Sequence, residues 1–248
     1  MSGFKNIEDF FSVFCGYGRV YFSELFQASL VNLDCLQEEE TVMLLSKQEL
    51  DYFQRFHHAK RRREWLGGRI AAKLALLNQS DAEKLRQHSQ HLTVLPNEYG
   101  KPIVIGPAGE RNMLLSISHS GGYAVALTTQ GKSCGIDLQK ISGKLPLLTD
   151  YFASTNELDL LDKWPDIGDH ETRLTMLWAM KEAVKKSALS DVPTSFSAIE
   201  LTKIIFNKKY LKFDCIVMNS NVQSVAIYIF YPYIMTLTGG SIASSQFH

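Results

Sequence analysis

Twice along this chain a stretch with apolar residues at helical spacing gives way to short extended segments, and the changeover falls near Gln130-Gly131. In the first cycle, residues 36–56 and 59–78 interleave charged and apolar groups at a period that predicts helices, and residues 80–90 predict a third. Gly67 and Gly68 weaken the middle of the second helix. "NEYGKPIV" then predicts a turn into an extended run. "MLLSISHS", "GYAVALTT" and "CGIDLQK" predict strands, with Gly121-Gly122 and "TQGKS" between them as hairpin loops. In the second cycle, residues 154–163 and 171–188 predict helices, and "YLKFDCIVM" and "SVAIYIFYPYIM" predict two strands. No short repeat is visible. The double succession predicts an α+β fold of two similar halves, 1–130 and 131–248, each a small, mostly antiparallel sheet packed with helices.

Composition narrows the function. Lys plus Arg and Asp plus Glu both number 26, so the net charge is zero. Global charge therefore gives no case for nucleic acid or an anionic membrane, and any anion site must be local. The only strong basic run, Lys60 to Arg63, lacks the aromatic interleaving of a nucleic-acid surface. The most apolar stretch, "SVAIYIFYPYIMTLTG", is short for a membrane span and carries Pro232. The first residues lack the basic, apolar and small-residue succession of a secretion signal. Cys15, Cys35, Cys134 and Cys215 are scattered, with neither metal-ligand spacing nor a disulfide framework. The expectation is a cytoplasmic protein with reduced thiols.

Five local signals carry chemistry. In "CGIDLQK", Asp137 sits among Ile and Leu, where a carboxylate is costly unless it is paired or bound to a metal, and Gly135 lets a backbone or ligand come close. A turn-capping Asp is the plainer alternative. In "LWAMKEAVKK", Glu182 and Lys186 share a helix face. They suit either a solvated pair or one wall of a cleft where Glu182 and Asp137 share a hard cation. "SISHSGGYAV" sets His119 among small hydroxyl residues, including Ser118, as a phosphate contact would require; a structural His is the alternative. Arg63, in "KRRRE", can grip a phosphate through its fork or simply face water. Lys101, in "NEYGKP", sits on a turn that restrains a point charge.

In order along the chain, "KRRREWLGGRIAAK", "YGKP", "SISHSGGYAVAL", "GIDLQ" and "WAMKEAVKK" resemble the Sfp-type 4′-phosphopantetheinyl transferases, in the branch that includes the enterobactin enzyme. The resemblance spans about residues 55–200. It implies a pseudo-two-fold pair of halves with coenzyme A in the cleft between them. It also implies transfer of the phosphopantetheine arm to a Ser of an acidic apo carrier protein, with release of adenosine 3′,5′-bisphosphate. The setting it implies is polyketide, nonribosomal peptide or siderophore biosynthesis, and the enzyme is a monomer. By motif position, Asp137 and Glu182 bind Mg²⁺ and Lys186 follows one turn later. His119 reaches the 3′-phosphate of coenzyme A, with Lys101, Arg63 and Ser118 as further contacts. Two departures stand out. Gln139 occupies a position where some bacterial members carry a metal-binding Glu, so it is the candidate third metal ligand, as a neutral amide or with water in its place, and "SALSDVP" lacks the glycines expected after Lys186. Gln139 keeps a second reading open, a coenzyme A-binding module of the same fold that has lost transfer.

Overall fold

The computed structural model describes residues 6–12, 17–23, 26–77, 82–106, 112–190, 195–206, 210–218 and 221–239. Its first half contains α1 (Ile7–Phe11), β1 (Tyr17–Ser23), β2 (Phe26–Asn32), α2 (Glu38–Val42), α3 (Lys47–Phe53), α4 (Ala59–Leu77) and α5 (Ala82–Ser89). It continues with β3 (Thr93–Pro96), β4 (Pro102–Ile105), β5 (Leu114–Ser120) and β6 (Tyr123–Thr129). The second half contains β7 (Gly135–Lys140), α6 (Thr149–Phe152), α7 (Thr155–Asp162), α8 (His170–Ala188), β8 (Ile199–Phe206), β9 (Leu211–Val217), β10 (Asn221–Phe230) and β11 (Tyr233–Thr238).

Two antiparallel sheets form, in the orders β1-β2-β6-β5 and β7-β11-β10-β9-β8, while β3 and β4 make a separate hairpin. Phe26, Leu30, Val125 and Leu127 of the first sheet meet Ile136, Leu138, Met235 and Leu237 of the second in one apolar layer. The long helix α4 covers the outer face of the first sheet and α8 that of the second. The fold is therefore α+β in four layers, helix, sheet, sheet, helix.

The long helices α4 and α8 lie where the periodicity predicts them. The single helix expected over 36–56 is two: the first closes at Met43, and Ser46 starts the second in a capping box with Glu49. The loop "TQGKS" is not a hairpin: β6 and β7 lie in different sheets, so the chain crosses between them there. The strand expected over 224–235 is the β10–β11 hairpin, turning at Tyr231-Pro232, where proline has no N–H to give a ladder. Strands β1, β2 and β8 lie in segments for which the sequence reading offered none.

A repeat missed in the sequence is plain in the fold. "SKQELD" opening at Ser46 and "STNELD" opening at Ser154 both form capping boxes. Glu49 then pairs with Lys73 of α4 at 2.6 Å, and Glu157 with Lys181 of α8 at 2.8 Å. The two glutamates also accept from Val94 N and Leu201 N, at 2.9 and 2.8 Å. A sheet hydroxyl also ties each long helix at the same turn, Ser29 Oγ donating to Ala71 O of α4 and Thr236 Oγ1 to Ala179 O of α8, though from neighbouring rather than equivalent strands. The sheet order β2-β6-β5 is matched by β7-β11-β10. Two of six letters vary even in the shared hexapeptides, which hides the duplication from a reading by eye.

Candidate functional site

The serines of "SISHS" alternate on β5, so Ser116, Ser118 and Ser120 all face the second half. Ser116 Oγ accepts from Ile136 N at 3.1 Å and Ser120 Oγ from Lys140 N at 2.9 Å. Between them, Ser118 Oγ donates to Asp137 Oδ1 at 2.7 Å. Three hydroxyls thus lace the free edge of β5 to β7 and fix the carboxylate where the halves meet.

Asp137 is 2% exposed, and every partner it has is a donor. Lys186 Nζ reaches Oδ1 at 2.7 Å and the carbonyl of Ile136 at 3.1 Å. Gln139 Nε2 donates to Oδ2 at 2.8 Å. These bonds answer the cost of a carboxylate on an apolar strand. Half-buried Glu182 lies close enough to feel that charge. Burial, and then Asp137, push its carboxyl above the ordinary range, while Lys186 and Lys185 pull the other way. Gly135 explains the close approach. A Cβ there would stand 2.1 Å from Ala183 O, so only glycine lets β7 lie against the α8 backbone.

Glu182, Lys185 and Lys186 form one wall of a cleft of about 410 Å³. The turn Tyr99–Pro102, with Lys101, and the β5 residues Leu115 to Ile117 form the other. The cleft exists because β4 does not join β5 by a ladder, whereas β9 and β10 do join in the second half.

His119 lies on the α4 side of β5. Its Nδ1 is 3.8 Å from Glu64 Oε1. Burial lowers its affinity for a proton; Glu64 and Asp137 oppose this, while Arg61 and Lys186 reinforce it. Arg63, the residue before Glu64 on α4, is in an exposed pair with Asp34 at 3.5 Å. Asp137, Glu182, Lys186, Gln139 and Ser118 therefore form one cluster, Lys101 faces it across the cleft, His119 lies beside it, and Arg63 is not brought into contact with it. Ser118 spends its hydroxyl on Asp137. The sequence reading missed Arg61, Glu64 and Lys185. Arg61 was legible as one of three adjacent arginines, which a helix turns to different sides: Arg62 is drawn instead to Glu38 and the Phe53 ring.

The first half has no copy of the carboxylate. Asp137 pairs across the ladder with Thr236, and the equivalent pair in the first sheet is Ser29 with Ala126. Ser118 has Tyr228 as its counterpart, packed among Phe10, Tyr210 and Phe230. Aromatic packing fills the second junction, which leaves one cleft of this kind among the described residues.

Residues 133–237 match the family model of the 4′-phosphopantetheinyl transferase superfamily. A holo-(acyl-carrier-protein) synthase from Bacillus anthracis, solved in complex with CoA (3′,5′-ADP), is 25% identical. That match covers 42% of this chain and 92% of the other, with a TM-score of 0.36. A holo-[acyl-carrier-protein] synthase from Thermotoga maritima is 22% identical over 52% of this chain and 74% of its own, with a TM-score of 0.34. No curated protein matches the chain. No described helix is long and apolar enough to cross a membrane.

Proposed function

We propose that this protein is a 4′-phosphopantetheinyl transferase that moves the phosphopantetheine arm of coenzyme A to a serine of an apo carrier protein. The observation that carries this reading is the Asp137–Lys186–Glu182 cluster beside a cleft that Glu182 and Lys186 line, inside the segment that matches the superfamily. Coenzyme A would lie with its 3′-phosphate towards His119 and Arg63 and its pyrophosphate between Lys101 and Lys186. The carrier serine Oγ forms the new bond to the β-phosphorus as the bond to the departing adenosine 3′,5′-bisphosphate breaks. Such a transfer relies on charge neutralisation and positioning.

The donor set fits a hard divalent cation. Asp137 and Glu182 are close enough for one charge to oppose the other, which a cation between them would relieve. Among the described residues, no cluster of three or more His, Cys, Asp or Glu could hold a metal alone. Mg²⁺ would then bind through two carboxylates and complete its shell with pyrophosphate oxygens and water. Gln139 orients Asp137. When bound, the ion supplies charge neutralisation on the pyrophosphate. Lys186 holds developing charge on the phosphate oxygens, and Glu182 or a water held beside it accepts the serine proton. Secondary-metabolite carriers as the acceptors and a monomeric enzyme follow from the resemblance to the enterobactin branch.

Intact-mass analysis of an apo carrier incubated with coenzyme A, Mg²⁺ and the protein tests the reading. A gain of one phosphopantetheine, absent when the carrier serine is alanine, is expected. Tight coenzyme A binding with no mass gain would instead favour a binding module.

A further inference from the structure

The motif "WAMKEAVKK" holds a lysine that the chemistry above does not use. Lys181 is 1% exposed and absent from the cleft wall that Glu182, Lys185 and Lys186 form. Its Nζ lies 2.8 Å from both carboxylate oxygens of Glu157. Glu157 also accepts from Ser154 N at 2.8 Å and from Leu201 N at 2.8 Å. One carboxylate therefore ties the start of α7, the strand β8 and the middle of α8 to a single point.

We propose that the Lys181–Glu157 pair is a strut that sets the rotation of α8 over β7 and thereby places Glu182 and Lys186 against Asp137. The proposal rests on the reading of the site given above. Successive helix residues point about 100° apart, so anchoring Lys181 on the buried side fixes where Glu182 points. Lys186 follows Glu182 by one turn and inherits the same setting. The first half supplies a control. Lys73 and Glu49 span the same 24 positions and make the same strand contact, yet Leu74 stands where the second half has Glu182. The pair is thus a construction unit present in both halves, and only in the second does a reacting group stand next to it. Lys181 and Glu157 are positioning residues; neither faces the cleft.

The test compares two matched double variants, Glu157→Gln/Lys181→Met and Glu49→Gln/Lys73→Met. Each removes both charges and keeps an acceptor for the strand N–H, so neither strands a buried ion. Both are expected to fold with similarly lowered Tm. The second-half variant should lose about tenfold to a hundredfold in kcat, the scale of a misplacement near 1 Å, with KM for coenzyme A changed less than about threefold. The first-half variant should hold kcat within about threefold of wild type. In crystal structures, the Lys186–Asp137 contact of 2.7 Å should open beyond hydrogen-bond reach in the second-half variant alone. Equal kcat in the two variants, or an unchanged Lys186–Asp137 contact, overturns the strut. If the second-half double does not fold, Lys181→Arg keeps the charge on a longer arm and replaces it; wild-type kcat in Lys181→Arg then overturns the proposal. Absence of transfer by the wild type counts against the reading of the site, and the Lys186–Asp137 distance still decides the strut.

Discussion

At the scale of single residues, the proposed site would divide binding from reaction. His119 binds protons less readily than an ordinary histidine because it is buried. A dianionic 3′-phosphate beside it would favour the protonated ring, so its pKa should rise in the complex. Coenzyme A affinity should therefore increase as pH falls through the window between the two pKa values. Calorimetric titrations should show this for coenzyme A and not for dephospho-coenzyme A, and His119→Ala should erase the difference between them. Glu182 carries the opposite sign. Its folded pKa is raised, so it favours the folded state at acid pH, and that contribution is lost as pH rises through the folded value. Glu182→Gln should remove this pH dependence from Tm and stabilise the metal-free protein at neutral pH, while transfer is lost. Chemical denaturation across pH checks the first effect, and carrier mass the second. The placement of the cluster was partly legible in the letters: Asp137 announces itself as an acid among Ile and Leu. The bond from Ser118 to Asp137 was not, because it spans two sheets.

At the scale of elements, glycines set how closely helices lie on strands. Gly67 and Gly68 read as weak points in a helix by propensity alone. In the fold they are contact points: a Cβ on Gly67 would meet Leu33 Cδ2 at 2.1 Å, and one on Gly68 would meet Ile117 Cγ2 at 3.1 Å. The clash at Gly67 is with the end of a flexible side chain, and the helix gains about 1 kcal/mol in propensity from alanine. Gly67→Ala should still destabilise, since overpacking costs about 1–3 kcal/mol. Gly135→Ala should cost more, because the obstacle is the α8 backbone, and it should also depress transfer by pushing Asp137 from Glu182. Urea midpoints for the two variants, with their relative kcat, test this ordering; equal losses would contradict it. The positions of α4 and α8 were legible because long periodic runs define them. The split of 36–56 turned on Ser46, whose capping box with Glu49 starts a second helix after the first has closed at Met43. The closing hairpin turned on the rule that proline avoids a ladder.

At the scale of the whole molecule, neither half is complete. The inner layer draws Phe26, Leu30, Val125 and Leu127 from one sheet and Ile136, Leu138, Met235 and Leu237 from the other. Residues 131–248 expressed alone should expose that face, bind a hydrophobic dye and lack transfer, even though they carry Asp137, Glu182 and Lys186. The alternation of helices and strands disclosed two halves; their face-to-face packing and the crossover at "TQGKS" depend on contacts remote in sequence. The central claim is that a carboxylate from β7 and one from α8 together make the transfer site. Carrier-dependent formation of adenosine 3′,5′-bisphosphate, followed by chromatography with coenzyme A and Mg²⁺, tests it most directly. The wild type should release it in step with modification of the carrier, while Asp137→Ala and Glu182→Ala, folded by circular dichroism, should each fall by about a hundredfold or more. Near-normal release from either variant would contradict the account.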